Sequence, residues 1–293
     1  MPGLANVDEQ CALGTLSEVS SFAGGSGRAD SGGGEMADPV VEFYDRLSVE
    51  YHHNMGFDWE AEVREEGASL DRFLANRVGR RGPYSVLDCS CGIGTLASGL
   101  ALHGHQVHAT DLSPVAVDCA RREATDFGVS MTFGVADFRK LGAGISDIFD
   151  VVLSCDNSIA HCLEDDDLAA ALASMKTRLK PGGLLLLSIR DYDALVVDKP
   201  CFTSEHVQDR PDGRRVVFQV WDWASDGRSY RVDQFLIKET DGRYELNHFE
   251  TELRALLRDE MMAAVRGAGY QEVRWHDPEA SGYYQPIVTA RNR

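Results

Sequence analysis

Y-S-V-L-D-C-S-C-G-I-G-T, residues 84–95, sets the organisation of the whole chain. A short apolar run, Val86-Leu87, ends in an acid, Asp88. Gly92 and Gly94 follow, and then a helix-like stretch from Leu96 to His103. This predicts a strand, a tight turn and a helix N-terminus. Glycines in such a turn let a ligand approach the backbone, and the N–H groups of the turn point at it. Ala97 stands where the third glycine of G-x-G-x-x-G would be, and glycine-rich turns also occur with no ligand, so the next strand has to show what the turn is for.

That strand is Gln106 to Thr110, and it ends in Asp111. An acid at the end of the second strand, about 20 residues past the glycines, is where a nucleotide ribose is held. Nicotinamide cofactors and S-adenosylmethionine (SAM) both need it. Three features favour SAM. The turn reads D-x-x-C-G-x-G-T, which resembles motif I of the class I SAM-dependent methyltransferases. Asp111 runs into Leu112-Ser113-Pro114, like the D-L-S-P of that family. A third acid, Asp137, ends a third strand at Met131 to Val135, within Ala136-Asp137-Phe138, and in that family this place sits beside the adenine. The resemblance implies SAM as cofactor and a cofactor site built from Tyr44, Asp88, Cys91, Gly92, Gly94, Asp111, Leu112, Ala136, Asp137, Phe138, Cys155 and His161.

Composition narrows the partners. With 29 Lys and Arg against 47 Asp and Glu, the formal charge is −18. A phosphate backbone rewards basic clusters, so no nucleic-acid partner is expected, and the excess acid reads as solvated surface. No apolar run approaches the ~20 residues of a membrane span. The N-terminus has no basic start with an apolar stretch, so no signal peptide is expected. The seven cysteines are scattered and odd in number, unlike a disulfide scaffold. Cys89 and Cys91 lack a second pair at metal spacing and read as small buried residues beside the turn, so no metal is expected. These features predict a reduced, cytoplasmic protein with no membrane partner; the methyltransferase resemblance implies a small-molecule acceptor, and a homo-oligomer is left open.

Along the chain, residues 1–38 are rich in Gly, Ser and Ala and are expected to be a disordered tail. Residues 39–76 are a helical cap with a break; Phe43, Tyr44, Leu47 and Tyr51 fall at helical spacing. Residues 77–197 alternate strand and helix, which implies a parallel sheet with right-handed crossovers. Phe149 to Ser154 is a fully apolar central strand, and Asp165 to Leu179 a helix whose acidic first turn suits its dipole. Lys180-Pro181-Gly182-Gly183 stops that helix, and Leu184 to Ile189 is the next strand. Residues 198–250 alternate like antiparallel strands with Gly-containing turns between them, a β insertion after strand five and a candidate lid. Thr251 to Ala268 is read as helix, and Val273 to His276 with Pro286 to Arg291 as a final hairpin-like pair. The fold class is α/β: a seven-stranded, mostly parallel, Rossmann-like methyltransferase sheet with an N-terminal helical cap.

In open parallel sheets, ligands bind beyond the carboxyl ends of the strands at the switch in strand order. Two segments end there, Cys155-Asp156-Asn157-Ser158-Ile159-Ala160-His161 and Ile189-Arg190-Asp191-Tyr192-Asp193. N-S-x-A-H, followed by G-G-L-L and R-x-Y-D, resembles the glycine and glycine/sarcosine N-methyltransferase family over roughly residues 149–195. The Y-D-x-h-x-x-x-Y segment at Tyr44 to Tyr51 resembles the cap of small-molecule methyltransferases. The resemblance implies that Asn157 and Arg190 hold the acceptor, the arginine gripping a carboxylate, and that His161 lies on the SAM side. Arginine is a planar two-pronged donor that stays charged at any working pH. Structural roles compete with each assignment: a pair with Asp191 or Asp193 for Arg190, a turn for Asn157, a helix-side hydrogen bond for His161. Two departures matter. Asp156 stands where the vertebrate-type enzymes have glycine, and His248-Phe249-Glu250-Thr251-Glu252 offers no clear counterpart of that family's substrate-facing tyrosines.

Methyl transfer from SAM is an in-line displacement onto a lone pair, so alignment ~3 Å from the methyl group and exclusion of water do most of the work. Arg190 and Asn157 would position the acceptor, with no covalent intermediate, and Asp156, His161 or solvent would take the proton. The expected activity is N-methylation of glycine, sarcosine or a related amino compound. N- or O-methylation of a specialised natural product is the alternative, and SAM binding without catalysis the third.

Overall fold

The computed structural model describes residues 38–54, 58–203 and 205–293, and the side chains of residues 51–54 are outside that description. The expected tail up to residue 37 and the Tyr51 side chain therefore lie outside the described residues. Asp38, the last residue of that expected tail, caps the first helix: its Oδ1 accepts from Val40 N–H at 2.9 Å. The elements in order are α1 (Pro39–Asn54), α2 (Trp59–Ala75), β1 (Ser85–Asp88), α3 (Thr95–Leu102), β2 (Gln106–Asp111), α4 (Pro114–Asp126), β3 (Thr132–Val135), β4 (Phe149–Ser154), α5 (Asp165–Thr177), β5 (Leu179–Ser188) and α6 (Tyr192–Asp198). Then come β6 (His206–Arg210), β7 (Gly213–Trp223), β8 (Ser229–Thr240), β9 (Arg243–Arg254), α7 (Arg258–Gly267), β10 (Gln271–His276), α8 (Pro278–Ser281) and β11 (Ile287–Arg291).

The seven-stranded sheet has the order β10-β11-β5-β4-β1-β2-β3. Neighbours from β5 to β3 pair parallel, and β11 runs antiparallel to both β5 and β10. Its strands are apolar on both faces because helices cover both. Alternate residues of β4 point to opposite layers: Val152 packs with Leu172 and Met175 of α5 and Met261 of α7, while Val151 and Leu153 pack with Leu70 of α2 and Leu96 and Leu100 of α3. Helices α2 and α3 approach so closely that a Cβ on Gly67 would lie 2.5 Å from Gly99 Cα. Strand order reverses between β1 and β4, so the crevice opens there, beyond Asp88 and Ser154.

Strands β6–β9 form a second, antiparallel sheet. One face meets α1, where Phe43 and Leu47 pack on Val217, Leu236 and Phe249. Trp221, Tyr230, Val232 and Leu253 join the core of the main sheet. Helix α1 also reaches α4, through Ser113 Oγ donating to Asp45 Oδ1 at 2.5 Å.

The sequence reading needs three corrections here. The stretch from Thr251 is strand up to Arg254 and helix only from Arg258, because Leu253 is buried opposite Tyr230 on β8. The second sheet has a further strand, β6, whose short polar sequence H-V-Q-D-R carries no alternation. β5 begins at Leu179, paired with Phe149, and Lys180 to Gly183 interrupt its register before Leu184 pairs with Val151.

Candidate functional site

The turn after β1 is held by its neighbours' acids and carbonyls. Ser90 N–H donates to Asp88 Oδ1 (3.2 Å), Cys91 N–H to Thr110 O (2.9 Å) and Gly92 N–H to Asp111 Oδ2 (2.8 Å). Gly92 (φ +52°) and Gly94 (φ +91°) occupy the left-handed region that favours glycine. A Cβ at Gly92 would meet nothing within 4 Å, so this backbone faces open space, whereas one at Gly94 would lie 3.0 Å from Ala120 Cβ. Asp111 also accepts Ser113 N–H at 3.0 Å, and burial raises its carboxyl above the usual range. Burial, with Asp111 and Asp156 adding, pushes Asp88 up to about 8. Two buried acids beside a turn that lines the cavity suit a ligand that brings hydroxyl donors and positive charge.

After β3, Ala136 N–H donates to Asp111 O at 2.9 Å. Asp137 is engaged by Arg139, whose N–H reaches Oδ1 at 2.8 Å and whose Nε lies 3.0 Å from both oxygens. Phe138 is half-buried behind it.

The segment after β4 turns through two left-handed residues, Asp156 (φ +55°) and Asn157 (φ +66°). Asn157 is buried and committed at both ends: Nδ2 donates to Tyr192 OH at 2.9 Å, and Oδ1 accepts Arg190 N–H at 3.2 Å. It ties the two loops together as well as facing the cavity. Arg190 donates to Tyr230 OH at 2.6 Å and stacks over Trp221 at 4.8 Å. Asp191 instead accepts from Ala194 N–H (3.4 Å), and Asp193 accepts Arg258 N–H (2.9 Å), so neither is the partner considered for Arg190. The Tyr44 hydroxyl is 3.0 Å from His161 Nε2. Burial and the Arg190 charge hold His161 down to about 4, a neutral imidazole, and burial with Asp111 raises the Tyr44 phenol. Cys91 and Cys155 are buried, and burial keeps both thiols well above their ordinary range, so neither serves as a nucleophile.

These groups surround one cavity of about 600 Å³, within the range of small-molecule sites. Of the residues singled out from sequence, Tyr44, Asp88, Cys91, Gly92, Asp111, Leu112, Asp137, Phe138, Cys155, Asp156, Asn157, His161 and Arg190 line it. Gly94 and Ala136 do not. Phe43 and Leu47 of α1 and Gln219, Val232 and Gln234 of the second sheet complete it.

Several residues of the site were missed. Tyr230 and Trp221 hold Arg190; Tyr283 and Tyr284 both donate to Asp156 Oδ1, the first at 2.6 Å. The signal for the latter pair was two adjacent tyrosines after a glycine in a short loop. Glu62 and Glu66 lie one turn apart on α2, pushed up by burial and then by the Asp156 charge to about 7 and about 8. For metals, Asp233, His248 and Glu250 bring ligand atoms within 4.8 Å of one another, but Asp233 is already taken by His248 (2.7 Å) and Arg231 (3.0 Å).

Residues 86–183 match the family described as methyltransferase domain. Among curated relatives, the glycine/sarcosine N-methyltransferase of Parasynechococcus marenigrum (strain WH8102) is 34% identical over 162 residues, 55% of this chain and 53% of that protein. The ubiquinone biosynthesis O-methyltransferase of Xanthomonas axonopodis pv. citri (strain 306) is 38% identical over 103 residues, 35% of this chain and 41% of that one. The chain thus spans about half the length of the curated relatives it matches. Of the solved structures, a sugar N-methyltransferase from Streptoalloteichus sp ATCC 53650 superposes with a TM-score of 0.69 at 19% identity, over 92% of this chain and 100% of that one.

Proposed function

We propose that this chain, whose fold and matched domain are those of the class I SAM-dependent methyltransferases, moves a methyl group from SAM to the amine of a small acceptor carrying both an amino group and a carboxylate, of the glycine or sarcosine type. One observation carries this reading. Arg190 and Asp156, of opposite charge, face the same cavity, and among the described residues no acid pairs with Arg190. A charge kept from an internal partner in a half-buried place is costly unless a ligand supplies the partner.

The residues present fit SAM. The Gly92 backbone faces open space, Asp111 stands at the second strand's end for the ribose hydroxyls, and Asp88 offers a buried acid to positive charge. Bound there, SAM supplies an already activated methyl group. Arg190 binds the carboxylate with its guanidinium held by Tyr230 and Trp221. Asp156 takes the amine's N–H. Asn157, by fixing the Arg190 backbone, keeps the two loops in register. Helix α1 and the second sheet wall the cavity on one side and shield that side from water. Such orientation can supply ~7–11 kcal/mol of the barrier. Burial holds the thiols of Cys91 and Cys155 well above their ordinary range, which does not suit them to a covalent route.

The second reading is methylation of a larger, hydroxylated natural product. The second sheet presents the amides Gln219 and Gln234, joined at 2.7 Å, to the cavity, and a solved structure of like fold is a sugar N-methyltransferase. Release of S-adenosylhomocysteine (SAH) across glycine, sarcosine, dimethylglycine, guanidinoacetate, several amino acids and an aminosugar tests both. Turnover on glycine or sarcosine supports the first. Turnover on the aminosugar alone replaces it with the second. SAM binding by calorimetry with no turnover on any acceptor removes the first.

A further inference from the structure

The charge of Asp156 is held in an unusual way. Its backbone sits in the left-handed region at φ +55°, an uncommon conformation that aspartate adopts more readily than most residues, and its surroundings hold it there. Those surroundings are three consecutive residues between α8 and β11. Tyr283 and Tyr284 both donate their hydroxyls to Asp156 Oδ1, and Gln285 Oε1 accepts from Ser188 Oγ (3.0 Å), which in turn accepts Asp156 N–H (2.8 Å). One loop therefore grips both the side chain and the backbone of one residue of another. Tyr283 is 2% exposed and Tyr284 58%, so the grip has a buried and an outer phenol. Both phenols use the same oxygen. Among the described residues no hydrogen bond reaches Oδ2, although Asp156 lines the cavity.

Two further acids stand near it. Burial and the Asp156 charge act on Glu62 and Glu66 of α2, and Glu66 Oε2 is buried with no hydrogen-bond partner. A group carrying N–H donors and positive charge is the complement of such a place.

We propose that Tyr283 and Tyr284 are positioning residues: by occupying Oδ1 and fixing the carboxylate, they leave Oδ2 as the single oxygen that receives the acceptor's N–H. The bound ammonium first gives one proton to solvent; an N–H that remains, held on one fixed oxygen, orients the neutral nitrogen so that its lone pair forms the new N–C bond as the S–C bond of SAM breaks, leaving SAH and a methylated ammonium. This inference rests on the amine-methyltransferase reading above and assigns residues that the motif resemblance does not reach.

The test uses the full-length protein and the variants Tyr284→Phe, Tyr283→Phe, the double substitution and Asp156→Asn. With sarcosine as acceptor, the double variant raises KM by about tenfold, equivalent to ~1.4 kcal/mol. Tyr284→Phe, at an exposed position that folding tolerates, raises it by about threefold. The calorimetric Kd for SAM stays within about twofold of the parent, which separates this role from general damage to the fold. A KM for the double variant within about twofold of the parent overturns the proposal, whatever its melting temperature. In parallel, carboxyl-labelled aspartate NMR of the SAH complex is titrated with methylammonium chloride. A shift of the Asp156 signal in the parent that is lost in the double variant supports the proposal even if no amino acid is turned over. Absence of that shift in the parent overturns it, even if sarcosine is methylated.

Discussion

Asparagine at position 88 separates folding from function. Asp88 is 2% exposed at the end of β1, with a hydrogen bond from Ser90 N–H as its side-chain support. Burial is the main reason its carboxyl is pushed up to about 8, against ~3.9 for an unfolded chain. The folded state therefore prefers the protonated form. The stability that this preference contributes is fully present below about pH 4 and is lost as pH rises through 8, at ~1.4 kcal/mol per unit. Over that window the loss is on the order of 3–5 kcal/mol, less whatever relaxation recovers. Asparagine has the same shape and no charge to bury. Asp88→Asn should thus match the parent near pH 4.5 and exceed it near pH 8 by most of that amount, on the order of 10 °C in Tm. It should also bind SAM at least about tenfold more weakly at pH 7.5, because the acid is retained for a cationic ligand at the expense of stability. Thermal denaturation of both proteins from pH 4.5 to 8.5, with calorimetric titration of SAM, measures the two effects; taking the difference between proteins cancels the other titrating groups. A gap that does not change with pH, or a variant less stable at pH 8, refutes the reasoning.

Three more outcomes follow from the geometry. Arg190→Ala should raise KM for carboxylated acceptors by about a hundredfold, the usual consequence of removing one member of a desolvated charge pair, while leaving Kd for SAM unchanged; steady-state rates with sarcosine check it, and an equal loss on an acceptor without a carboxylate contradicts it. Gly92→Ala forces a left-handed alanine at a cost of about 1 kcal/mol and puts a methyl group into the open space the turn now faces, so Kd for SAM should rise by at least about tenfold with a small change in Tm. Gly67→Ala places a Cβ 2.5 Å from Gly99 Cα on rigid backbone; chemical denaturation should show a loss of about 2–3 kcal/mol from overpacking between α2 and α3.

The residues proposed to hold the cofactor could be picked out because they are written in local sequence. A strand, a glycine turn and acids at successive strand ends are short-range features, and Asp88, Gly92, Asp111 and Asp137 come together once the strands β1, β2 and β3 are parallel neighbours. The proposed acceptor half was only partly written there. Arg190 and Asp156 stood out as charges in turns at strand ends, but what holds them is 40 residues away for Tyr230 and 127 and 128 residues away for Tyr283 and Tyr284. Contacts of that separation depend on how a β insertion and a C-terminal loop fold back, and neither leaves a periodic trace. The same limit explains the helix expected from Thr251. The alternation that continues β9 to Arg254 has a meaning only through Tyr230 opposite Leu253, a tertiary contact overriding local propensity.

The two charges of the proposed acceptor site are held in the same way. Arg190 is held by a phenol and an indole face, and Asp156 by two phenols. Had each been fixed by an opposite charge, the pair would have been neutralised internally, and a ligand would have had to displace that partner at the full cost of leaving it unpaired. Neutral donors and aromatic faces fix direction without cancelling charge. The guanidinium keeps its attraction for an anion, since a cation–π contact contributes only ~0.5–2 kcal/mol, and the carboxylate keeps an oxygen that no described hydrogen bond uses. On the proposed function, a cavity that carries a cation and an anion, each fixed by neutral side chains, should discriminate by the separation between the two charges of its acceptor. It should penalise molecules bearing only one of them, and the ratio of kcat/KM for sarcosine over methylamine measures that penalty directly. A ratio near one means that Arg190 contributes nothing to acceptor choice, and the zwitterion reading falls with it.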